Sequence, residues 1–210
     1  MRIVLIGFSG SGKSHWSRLL AQSHGYQHIC CDDLIEEKLR EFLPSSASGI
    51  NDVAEWMGQP YDQRFKRNET RYLQCEKGVL EEILKKPDGF YPDRTVLDTT
   101  GSVIYTGDRL TRQLSLFGRV VYLEVTPAVL AEMFQEYINN PKPVIWGESF
   151  TQHPGESPME ALKRCYPELL KYRQSRYEQL AEVSLGYNET RMVDFGPDEF
   201  LAAVNPMICN

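Results

Sequence analysis

The sequence predicts an α/β protein of the P-loop NTPase fold: a mostly parallel five-stranded sheet, covered by helices on both faces, with a lid loop. Three observations predict it. A short apolar run, Ile3-Val4-Leu5-Ile6, leads at once into the glycine-rich segment from Gly7 to Ser14. Beyond it, apolar runs bounded by turn residues alternate with longer stretches of helical periodicity. Two of those runs end in acids, at Asp32-Asp33 and at Asp98, and ligands of such sheets collect at the carboxyl ends of the strands.

Taken in order, residues 3–6 read as the first strand and 13–23 as the first helix, with Trp16, Leu19 and Leu20 sharing a face. Residues 26–30 read as a second strand and 34–42 as a helix with Asp32 or Asp33 near its N-terminal end. A short helix at 50–57 precedes a long charged one at 62–86, whose expected buried positions are Tyr72, Leu73, Val79, Leu80, Ile83 and Leu84. The third strand is 95–97 and the fourth 120–124, after which Pro127 suits the first turn of a helix. A polar, proline-bearing loop covers 139–158. Residues 158–184 read as helical with an interruption near Pro167, 191–195 as the last strand and 198–204 as a closing helix.

A chain of 210 residues fits a single α/β domain over 1–210, with 139–158 as a lid region inside it. Hydrophobic residues at 41% supply a core, and the net charge of -6 argues against a nucleic-acid partner, because phosphate backbones need basic surface. That charge leaves room for a small phosphorylated molecule held by local cations. No apolar run is long enough to span a bilayer, so no membrane partner is expected. The N-terminus enters a strand directly and shows no cleavable leader. Cys30, Cys31, Cys75, Cys165 and Cys209 are odd in number and irregular in spacing, so neither a disulfide framework nor a zinc site is favoured, and the cytoplasm is the expected location. His15, His24, His28 and His153 show no metal-ligand spacing and are assigned no chemistry. Oligomeric state is left open.

Gly7-Phe8-Ser9-Gly10-Ser11-Gly12-Lys13-Ser14 satisfies the full GxxxxGK[ST] pattern between a predicted strand and a predicted helix. Its glycines allow a tight wrap in which backbone N–H groups face a phosphate, and the helix adds its positive end. Gly7, Ser9, Gly10, Ser11, Gly12, Lys13 and Ser14 are therefore the expected ATP-binding residues. Lys13 can reach the β- and γ-phosphates, and the Ser14 hydroxyl is placed for Mg²⁺.

Asp32 and Asp33 leave the second strand, where a carboxylate can orient an attacking hydroxyl or hold a magnesium-bound water; helix capping is the structural alternative. Cys30 and Cys31 read as core residues beside the sheet rather than nucleophiles. Asp98 ends an apolar strand as a Walker B acid does and is a second metal candidate, unless it caps the turn of Thr99-Thr100-Gly101. Thr99, Thr100 and Ser102 would line a pocket with hydroxyls. Phosphoryl transfer also needs positive charge near the moving group, for which Lys66, Arg67, Lys142 and Arg173 are candidates. Trp146 and Phe150 either close over a ligand or anchor their loop.

Together these residues resemble the shikimate kinase family of P-loop kinases. The opening strand and loop match it, Asp32-Asp33-Leu34-Ile35-Glu36 is similar to its substrate-binding Asp followed by Ile-Glu, and Phe65-Lys66-Arg67-Asn68-Glu69 is similar to its Phe-Arg-x-x-Glu segment. Lys142-Pro143-Val144-Ile145 resembles its lid, and Tyr166-Pro167-Glu168 through Arg173 and Tyr177 its late helix. The resemblance implies that Asp32 binds acceptor hydroxyls and serves as base, that Lys66 and Arg173 bind a substrate anion, and that Lys142 approaches the phosphates from the lid. It makes Gly101 part of the turn beside the acceptor. Asp33 and Thr100 join that expected substrate set.

Cys30 stands where the family has a magnesium-associated Asp, Asp98 stands where it usually has no acid, and Thr99-Thr100-Gly101-Ser102 lacks its consecutive glycines. The arginine expected one turn before Lys142 is absent, and Lys for Arg at position 66 loses bidentate geometry. The expected function is an ATP- and Mg²⁺-dependent kinase acting on a hydroxyl of a small, polar, anionic metabolite. A nucleotide-binding regulatory protein with a decayed site and a nucleoside or nucleotide kinase are the alternatives.

Overall fold

The computed structural model describes residues 1–44, 49–87, 89–139 and 142–205; Cys209 and residues 140–141 of the expected lid region lie outside them. The sheet is five-stranded and parallel throughout, in the order β2-β3-β1-β4-β5. Its strands are β1 (Ile3–Ile6), β2 (Gln27–Cys30), β3 (Thr95–Asp98), β4 (Arg119–Leu123) and β5 (Val183–Leu185). Among the described residues the helices are α1 (Lys13–His24), α2 (Cys31–Leu39), α3 (Ile50–Met57), α4 (Phe65–Leu84), α5 (Asp108–Phe117), α6 (Pro127–Asn139), α7 (Pro158–Leu180) and α8 (Pro197–Val204).

Side-chain alternation along the central strands divides the interior in two. Ile3 and Leu5 of β1, with Val96, Val121 and Leu123, pack against Trp16 and Leu20 of α1 and Phe200 and Val204 of α8. Val4 and Ile6, with Leu97, Val120 and Tyr122, face the larger core built with α2, α4, α5 and α7. Both sheet faces are thereby covered, which is why the inner strands are buried at nearly every position rather than alternately.

Five differences from the expected elements follow. The last strand is Val183–Leu185, not 191–195: Val121, Tyr122 and Leu123 of β4 take Val183, Ser184 and Leu185 as partners. Val193 is 107% exposed and Arg191 closes a 3-10 turn, so the 191–195 run has no sheet to join. The α7 helix is not interrupted at Pro167. Pro167 and Lys163, whose carbonyl it leaves without a donor, both face water, which can solvate that carbonyl. The α2 helix begins at Cys31, three residues before its expected start, so Asp32 and Asp33 occupy its first turn and Cys30 is the N-cap. The α5 helix was not anticipated, although Leu110 and Leu114 form its buried stripe at helical spacing. The α4 helix is also shorter than 62–86, and it buries Asn68, Glu69 and Glu76 along with its apolar face.

Candidate active site

The loop between β1 and α1 takes its shape from glycines at left-handed or otherwise positive φ. Gly7 has φ 140°, and a Cβ there would stand 2.8 Å from the Leu123 carbonyl. Gly12 caps α1 at φ 109°. Lys13 is buried, and its Nζ donates to the carbonyls of Gly7 and Phe8, each at 2.9 Å. Burial pulls the Lys13 ammonium below its usual range, opposed by the carboxylates of Asp98 and Asp32.

Beside this loop lies a cavity of about 650 Å³ at the carboxyl ends of the strands. Ser9, Gly10, Gly12, Lys13 and Ser14 line one wall, Asp32 and Asp33 another, and Thr100, Gly101 and Ser102 a third. Lys142, Pro143 and Val144 reach it from the loop after α6, and Arg173 reaches it from α7. Burial pushes the Asp32 carboxyl up to about 6, with Lys13 acting in the opposite direction. Gly101 packs against the phosphate loop so closely that a Cβ would lie 3.4 Å from the Ser9 nitrogen.

Two expected substrate-binding side chains are not brought to this cavity. Thr99 is fully buried and donates its hydroxyl to the Leu5 carbonyl at 2.7 Å, tying β3 to β1. Lys66 is exposed outside the cavity lining, 3.2 Å from Glu69 and 3.5 Å from Glu148. Arg173, by contrast, is buried; its Nη2 donates to the Ile145 carbonyl at 2.6 Å and its guanidinium lies 5.4 Å from the centre of the Tyr105 ring. Asp98 is buried, its carboxylate acts on the Lys13 ammonium, and its Oδ2 has no hydrogen-bond partner among the described residues.

Two buried acids escaped the sequence reading as site elements. Glu69 accepts from the backbone N–H groups of Trp146 and Gly147, at 2.7 and 2.8 Å, and so pins the loop that carries Lys142. Trp146 is an anchor of that loop, fully buried between Tyr137, Phe150 and Tyr166. Glu76, only 1% exposed, accepts from the hydroxyls of Thr100 and Ser102 under the cavity wall. Burial pushes its carboxyl up to about 7, against the pull of those two hydrogen bonds. Both acids fall on the inward stripe of α4, and an acid at an apolar helical position was the available signal.

Comparison with known proteins agrees with this architecture. A family model described as an AAA domain matches residues 3–182. A shikimate kinase of Chlorobium chlorochromatii is 31% identical over 180 residues, covering 84% of this chain and 77% of the relative. One from Enterococcus faecalis is 25% identical over 186 residues, with 87% of this chain and 86% of that protein covered. The solved structure of shikimate kinase from Acinetobacter baumannii in complex with shikimate shares the fold at TM-score 0.63 and 23% identity, over 100% of this chain and 95% of its own. By these matches the chain belongs to the shikimate kinase family as a divergent P-loop small-molecule kinase.

Proposed function

We propose that this kinase transfers the γ-phosphoryl group of ATP to a hydroxyl of a small, polar, anionic metabolite of the shikimate-like class. The observation that carries the reading is one cavity shared by Lys13, Asp32 and Arg173, with a phosphate loop on one side and a carboxylate on the other. In that arrangement Lys13 turns from the Gly7 and Phe8 carbonyls to the β- and γ-phosphates. Asp32, ionised at neutral pH, holds the acceptor hydroxyl and takes its proton as the acceptor oxygen bonds to the γ-phosphorus. The bond from that phosphorus to the ADP oxygen breaks, and Lys13 and the loop N–H groups stabilise the charge that develops there. Arg173 supplies positive charge for a substrate anion.

The oxygen donors fit Mg²⁺: the Ser14 hydroxyl lines the cavity, and the buried, unpartnered Asp98 oxygen stands near Lys13. When bound, the ion would neutralise phosphate charge. Asp98 would take over the role that Cys30 cannot fill as a magnesium-associated acid. Residues 142–158, anchored by Glu69 and Trp146, would act as the lid that carries Lys142. Hydroxyls at Thr100 and Ser102 make the acceptor side narrower than one built of glycines, which favours an acceptor other than shikimate itself.

An ADP-release screen with shikimate, sugar acids, polyols, nucleosides and nucleoside monophosphates tests the reading, each repeated with Asp32→Asn. Acceptor-dependent turnover that is lost in the variant supports it. Turnover that needs no acceptor and ignores Asp32 would point to an NTPase, and nucleotide binding without turnover to a regulatory protein.

A further inference from the structure

We propose that His28, Cys30 and Asp98 form a binding site for a thiophilic divalent cation of the zinc class. The β2 strand places His28 and Cys30 two residues apart and so on one face, and the parallel register sets Asp98 of β3 directly beside Cys30. One ligand atom from each side chain lies within 4.8 Å of the other two. The His28 Nε2 to Asp98 Oδ2 distance is 3.5 Å. Two ligands on a tetrahedral ion at about 2.0–2.3 Å stand about 3.3–3.8 Å apart, so this pair already has the spacing and the thiol needs only a small side-chain adjustment.

Those two atoms are also a problem that an ion would solve. Both are buried and, among the described residues, neither has a hydrogen-bond partner, while the Asp98 side chain is 3% exposed. Buried polar atoms are costly when unsatisfied, and a cation between them satisfies both at once. A charged His28–Asp98 pair without metal would leave Cys30 uninvolved, which gives the test its discriminating residue. Burial pushes the Cys30 thiol up to about 12, with the Asp33 backbone N–H acting in the opposite direction, so the cation itself must displace the thiol proton. One nitrogen, one sulfur and one oxygen donor suit zinc rather than magnesium. His28 and Cys30 line the cavity, so a fourth position would open toward it.

The site stands independently of the kinase reading. Asp98 serves Mg²⁺ in that reading, so the decisive experiment is run without nucleotide. Metal-free full-length protein is titrated anaerobically with Co²⁺ and then with Zn²⁺. The expected result is a single site with a thiolate-to-cobalt charge-transfer band in the near ultraviolet, displaced by Zn²⁺. Cys30→Ser removes the band, His28→Gln and Asp98→Asn each weaken binding at least about tenfold, and Cys75→Ser leaves it unchanged. Circular dichroism checks each fold, and should Asp98→Asn fail to fold, the near-isosteric Cys30→Ser decides alone. A wild type without the band, or a band that survives Cys30→Ser, overturns the proposal.

Discussion

Ser102 donates its hydroxyl proton to the Glu76 carboxylate across 2.8 Å, joining the turn after β3 to the middle of α4 beneath the cavity. Thr100 donates to the same carboxylate, so one buried acid orients both hydroxyls of the acceptor wall. With their protons directed at Glu76, those oxygens have lone pairs left for a partner that donates, which suits a hydroxylated substrate.

That acid makes stability depend on pH in a defined direction. Its carboxyl is raised from 4.5 to about 7 in the folded chain. Below pH 4.5 both states are protonated. Between there and about pH 7 the folded state keeps a proton that the unfolded chain has lost, so Glu76 makes stability fall as pH rises through this window. Above it both states are ionised and the loss is complete, at roughly 3 kcal/mol. Glu76→Gln keeps one acceptor and one donor for the two hydroxyls, and is expected to remove this decline. Urea unfolding of both proteins across the window is the measurement; parallel pH profiles would refute it.

Lys13→Ala is expected to weaken a non-hydrolysable ATP analogue by about 10- to 100-fold in the presence of Mg²⁺, because a charge-assisted contact is lost. Calorimetric titration reads it directly. Equal affinities would remove the phosphate role of Lys13.

Asp32→Asn is expected to lower kcat by about 10²- to 10⁴-fold while leaving nucleotide affinity within about twofold, since the amide cannot take the acceptor proton. Steady-state turnover with the acceptor found in the screen, paired with calorimetry, separates the two effects. Comparable losses in both would place Asp32 in nucleotide binding instead.

Asp98→Asn is expected to raise the Mg²⁺ concentration needed for nucleotide binding at least about tenfold, whereas Cys30→Ser leaves it unchanged. The pair of titrations is informative because the two residues are register partners on adjacent strands. An unaltered Mg²⁺ requirement in Asp98→Asn would remove the proposed Mg²⁺ role of this carboxylate.

Trp146→Ala is expected to cost about 3–5 kcal/mol of stability, because a fully buried indole packed against Tyr137, Phe150 and Tyr166 is replaced by a cavity. Thermal unfolding measures the loss. A shift equivalent to less than about 1 kcal/mol would mean that the loop closes over the gap.

What the sequence determined by itself is local. Gly7 through Ser14 carries its own conformational and chemical instructions, because the glycines set the turn, and Lys13 and Ser14 follow at fixed offsets on the first turn of a helix. The alternation of apolar runs with helical stretches likewise sufficed for a parallel sheet covered on both faces. The tertiary structure decided everything that depends on which segments become neighbours. Val183–Leu185 became the fifth strand because β4 offered it an edge, while the 191–195 run found none. Pro167 stayed inside α7 because the carbonyl it strands faces water. Thr99 turned to the Leu5 carbonyl and Lys66 to Glu69, away from the cavity where its turn placed the first and the family resemblance the second. His28 shows no ligand spacing along the chain, yet strand pairing brings it to Asp98, 70 positions away, across 3.5 Å. Hydrogen bonding between strands, not adjacency in sequence, sets that distance, and no periodicity in a single chain encodes which strands will pair.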